Sequence, residues 1–137
     1  MDKQLRRVKL VLPSWLPALY IAVAAGLAPW IFVLSTTLPE RHLSRHWDLA
    51  WVGFDIGMLL AVMLTAVLAY RRSWWVCLSS MSVFTFLIVD VWFDVLTSRP
   101  GAQTVTAVIL ALAVELPLSV TSLWLSYRVA KELVQAQ

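Results

Sequence analysis

Residues 49–75 read LAWVGFDIGMLLAVMLTAVLAYRRSWW, and the reading of this stretch decides the fold. From Leu49 to Tyr70 the run is apolar except for Asp55 and Thr65, and a second apolar run begins at Trp74 after RRS. A helix needs about 20 residues to cross about 30 Å of hydrocarbon. The first run is therefore long enough to span, and a gap this short turns the chain straight back into a second span.

Working outward, the same length criterion selects four segments, 15–38, 49–70, 74–97 and 104–127. The connections PERHLSRHWD, RRSW and SRPGAQ are short enough to make successive helices antiparallel neighbours. The expected fold is all-α, an up-down-up-down bundle of four transmembrane helices forming one domain over 1–137. Composition agrees, because 61% hydrophobic and 14% charged residues lie far from the balance of a soluble domain.

Orientation follows from the basic residues. With the N-terminus inside, Lys3, Arg6, Arg7, Lys9, Arg71, Arg72, Arg128 and Lys131 are cytoplasmic, against Arg41, Arg45 and Arg99 outside. Both termini are expected in the cytoplasm, with 1–12 a basic headgroup-binding segment and 128–137 an extension of the last helix. The basic start also resembles a signal peptide with AVA at 22–24, but the apolar run continues through LAPWIFVLSTTL and is long enough to span. The general form is that of small four-span proteins of a bacterial inner membrane.

Aromatic residues mark the boundaries. Trp15, Trp47, Trp51, Trp74, Trp75 and Trp124, with Tyr70 and Tyr127, fall near the expected interfaces, where an amphipathic ring is favoured. Pro29 lies inside the first span, with Gly26 three residues earlier, and should kink it. Ser44 or Asp48 is positioned to cap the second span.

The candidate site comes from the carboxylates. Asp55, Asp90, Asp94 and Glu115 lie within spans, where charge is expensive and polar groups face the protein interior. At ~1.5 Å per residue, Asp94 is about 5 Å deep, Asp55 about 9 Å, Asp90 about 10 Å and Glu115 about 16 Å. Asp90 and Asp94, in VDVWFDV at 89–95, are four apart and share a helix face. These observations lead to an acidic, partly wet cavity opening outward, with Trp51 and Trp92 as walls. Its compensation would come from protonation, from Arg41, His42, Arg45, His46 or Arg99 folding inward, or from a bound cation.

ELPLS at 115–119 adds detail. Pro117 has no amide donor, which frees the Ala113 carbonyl beside Glu115 and offers a cation or proton site. The bland reading is a kink with Glu115 neutral and hydrogen-bonded. His42, His46 and Asp48 have spacing that a metal could use, but the pattern lacks HExxH and lies outside the spans, so neither metal nor cofactor is expected. The single Cys77 excludes an internal disulfide and reads as a packing residue.

No phosphate-binding glycine loop, GxSxG or basic stripe for nucleic acid is present. Three functions fit. The first is a protein that binds, or also transports, a cation or a small cationic or amphipathic ligand, working as a homo-oligomer. The second is an accessory subunit of a larger membrane complex. The third is a membrane-embedded enzyme with paired carboxylates, for which no spacing selects a reaction.

Overall fold

In the computed structural model, residues 12–37, 46–98 and 100–135 are described, and their regular structure is helical. Helix α1 is Trp15–Thr37, α2 is Trp47–Tyr70 and α3 is Val76–Thr97. The fourth span comprises α4, Ala102–Leu110, a π-helical turn, Ala111–Glu115, and α5, Leu116–Gln135. Four helices are thus long and apolar enough to cross a membrane: Trp15–Thr36, Trp47–Tyr70, Val76–Thr97 and Ala102–Gln135. The fourth, with 34 residues, is much longer than a crossing requires. It includes the extension expected beyond Tyr127.

The chain divides into two compact units, with Leu12–Arg71 forming one and the described residues from Arg72 onward lying in the other. In the first unit α1 packs on α2. Its core is Leu12, Leu16 and Tyr20 against Met58, Val62, Ala66 and Ala69. The buried positions of α2 recur in steps of three and four, which keeps one helix face on its neighbour. Helix α1 runs unbroken through Pro29, and a Cβ at Gly26 would meet nothing within 4 Å.

Helix α2 begins differently from the expectation. His46 is its N-cap, in the left-handed region at φ 62° and without a side-chain capping bond. Asp48 is therefore not the cap but lies in the first turn, where a carboxylate complements the helix dipole. Ser44 lies outside the described residues.

In the second unit α3 packs along the fourth span, and its direction is fixed at both ends. Near the start of α3, Ser126 Oγ donates to the Cys77 carbonyl at 2.9 Å and Cys77 Sγ donates to the Ser126 carbonyl at 3.4 Å. At its end, Ser98 Oγ donates to Thr104 Oγ1 at 3.1 Å. The start of α3 meets the end of α5 and its end meets α4, so this unit is an antiparallel hairpin.

Its seam is built of small residues. Helix α3 buries Val76, Ser79, Ser80, Val83, Leu87 and Asp90, and α5 buries Leu118, Ser119, Ser122, Leu125, Ser126 and Val129. Lipid tails are as apolar as leucine, so helices in a bilayer associate through close packing and interhelical hydrogen bonds, and small side chains permit the approach. Ser79, Ser80 and Ser119 satisfy their hydroxyls on carbonyls three residues back in their own helices, so their burial leaves no orphan donor.

Candidate functional site

The two sets of cross-helix bonds define a register. Cys77 is level with Ser126 and Ser98 with Thr104. Between these levels α3 advances 21 residues (98 − 77) and the fourth span 22 (126 − 104). The fourth span thus holds one residue more between these levels, and it contains the π turn over Ala111–Glu115, in effect a single-residue insertion in an α-helix.

The backbone consequence is local and chemical. The Leu116 N–H donates to Ala111, five residues back, rather than to Leu112. Pro117 has no N–H for Ala113. Leu112 and Ala113 therefore both lose the donor that an unbroken α-helix would supply. The proline alone removes the Ala113 donor, as the sequence indicates, and the π register adds Leu112.

Counting inward from either end sets Asp90 level with Leu112 or Ala113. Glu115 falls two or three residues from that level, about 3–5 Å along the axis. Asp90 is 8% exposed and belongs to the α3 seam that faces the fourth span. Glu115 is half-buried at the end of the π turn, and Asp94 is half-buried one turn beyond Asp90. The second unit thus brings a buried carboxyl group, a second at a neighbouring level, and two carbonyls stripped of their helical donors to one depth.

Asp55 belongs to the first unit and is 2% exposed, in the α2 seam beside Met58 and Val62. Both Asp55 and Glu115 are engaged side chains, yet one oxygen of each, Asp55 Oδ2 and Glu115 Oε2, is buried without a hydrogen-bond donor among the described residues.

Of the other expected site residues, Trp92 is 65% exposed and about 200° around α3 from Asp90. Trp51 makes edge-to-face contacts with Trp47 at 5.8 Å and Phe54 at 6.3 Å, an aromatic ladder in the first two turns of α2. His46 is exposed at the start of α2. Arg41, His42, Arg45 and Arg99 lie outside the described residues. Among the described residues no group of three or more His, Cys, Asp or Glu side chains could hold a metal ion.

What sequence reasoning missed is the hydroxyl-rich seam and the π turn. Ser119, Ser122 and Ser126 recur in steps of three and four, a small-residue pattern legible without GxxxG. The π turn depends on the register between two helices and has no signature within one. Comparison of the chain with known protein families, with curated proteins and with solved structures gave no match.

Proposed function

We propose that this chain is a multi-pass membrane protein that binds a monovalent cation, inorganic or a small protonated amine, within the α3–α5 hairpin. The observation that carries the reading is the coincidence in depth of Asp90 with the carbonyls of Leu112 and Ala113 at the π turn. Carboxylate and carbonyl oxygens are hard ligands suited to such a cation. An interrupted helix within a membrane is tolerated where its freed carbonyls find a partner, and a cation is one. Glu115 supplies a second carboxyl group at that level, and Asp94 lines the approach from the hairpin's Ser98 end.

This reading places the four spans in an up-down-up-down bundle in a bacterial inner membrane, with both termini cytoplasmic. Its support is the excess of Lys and Arg on that side, including Arg72 and Lys131 at one end of the hairpin. The carboxyl groups then belong to the central and outer parts of the spans. Transport would require that the site be reached from both sides, and binding is the step that the residues support.

Isothermal titration of the purified protein with sodium, potassium, rubidium and tetramethylammonium chlorides tests the proposal. Saturable binding of at least one, reduced more than tenfold in Asp90→Asn and in Glu115→Gln, is expected. Undiminished affinity in Asp90→Asn would sink the cation site. Stoichiometric co-purification with another membrane protein, and no cation binding by the isolated chain, would favour an assembly subunit.

A further inference from the structure

We infer that the Arg72–Lys131 end of the α3–α5 hairpin is a recognition surface for the phosphate of an anionic phospholipid headgroup. The Cys77–Ser126 bonds put the start of α3 against α5 near Ser126, and Arg72, five residues before Cys77 in the connection that precedes α3, and Lys131, five after Ser126, lie toward that same end. Three cations, two on α5 and one in the connection before α3, thereby belong to one end of one hairpin. Helix α5 carries its two beyond the expected span, since it continues through Gln135.

The local contacts suit a headgroup better than a protein core. The Arg128 guanidinium lies 5.3 Å from the centre of the Trp124 ring, and its Nε is 3.7 Å from Glu132 Oε1. The ring and the carboxylate hold Arg128 in place while its side chain remains 40% exposed. Glu132 offsets one charge, so Arg72, Arg128 and Lys131 leave a net excess of two positive charges. Trp75, half exposed and stacked on Trp74 at 3.8 Å, immediately precedes α3, and Trp124 lies about one turn before Arg128 on α5. Aromatic rings at the hydrocarbon boundary with guanidinium and ammonium groups just outside match an acyl chain joined to a phosphate.

The surface is tested on the full chain in mixed micelles, by retention of phosphatidylglycerol over phosphatidylcholine in native mass spectrometry. Wild type should prefer phosphatidylglycerol, and the double variant Arg128→Gln/Lys131→Gln should lose about fivefold in relative affinity for each charge removed. Arg128→Lys/Lys131→Arg, which keeps the charge, should retain the preference, separating charge loss from a folding defect. The basic N-terminal residues stay constant throughout, so they cannot produce the difference. Inorganic phosphate at matched concentration should fail to displace the lipid. Equal retention of the two lipids by wild type, an unchanged preference in the Gln variant, or loss of preference in the charge-preserving variant would overturn the assignment. Displacement by inorganic phosphate would overturn the lipid as its source.

Discussion

The unit over Leu12–Arg71 buries bulk along its seam, with Leu16, Tyr20, Met58 and Val62 nearly or fully covered, whereas the unit from Arg72 onward buries hydroxyls, with Ser80, Ser119 and Ser122 fully covered. Both seams follow a three-four repeat, and both include one buried aspartate, Asp55 or Asp90. They also treat an internal proline differently. Pro29 sits in a continuous α-helix, while Pro117 follows a π turn. A proline by itself therefore does not unwind a span. The irregularity lies in the span whose hairpin is hydrogen-bonded near both ends and which holds one residue more than α3 between those bonds.

The contrast can be broken by mutation. Tyr20→Ala removes the largest fully buried side chain and should cost the first unit about 3 kcal/mol, read from reversible unfolding in mixed micelles. A loss below about 1 kcal/mol would show that this seam does not depend on volume. Ser122→Leu forces extra volume between α3 and α5 and should cost about 1–3 kcal/mol in the same measurement. Gly26→Leu is its control in the first unit, where a Cβ meets nothing within 4 Å, and stability should change by less than about 0.5 kcal/mol. Equal costs for the two would erase the distinction.

Pro117→Ala sharpens it further. An alanine N–H can satisfy the Ala113 carbonyl, so cation affinity should fall about tenfold, the scale of one lost charge-assisted contact. Pro29→Ala should leave affinity unchanged in the same titration. A small loss is expected for Ser126→Ala, which removes one interhelical hydrogen bond and should cost about 0.6 kcal/mol, the average for such bonds in a bilayer.

The spans were legible in the sequence because membrane thickness converts directly into apolar length: the expected 49–70 compares with Trp47–Tyr70, and 74–97 with Val76–Thr97. The carboxylates were legible because an acidic residue in such a run is conspicuous. Which of them share a level was only partly so. Rise per residue measures depth from a helix end, but the end of α4 lies at Ala102 and the π turn adds a residue before Glu115. The role of the aromatics was the least legible, since Trp92 lies only two residues from Asp90 in sequence yet occupies a different face.

The most direct test is anomalous diffraction from crystals of the protein grown in rubidium chloride. A peak is expected at the level of Asp90, against the carbonyl oxygens of Leu112 and Ala113, and it should vanish in Asp90→Asn. No peak there in the wild-type protein, or one that persists unchanged in Asp90→Asn, would contradict a cation site at the π turn.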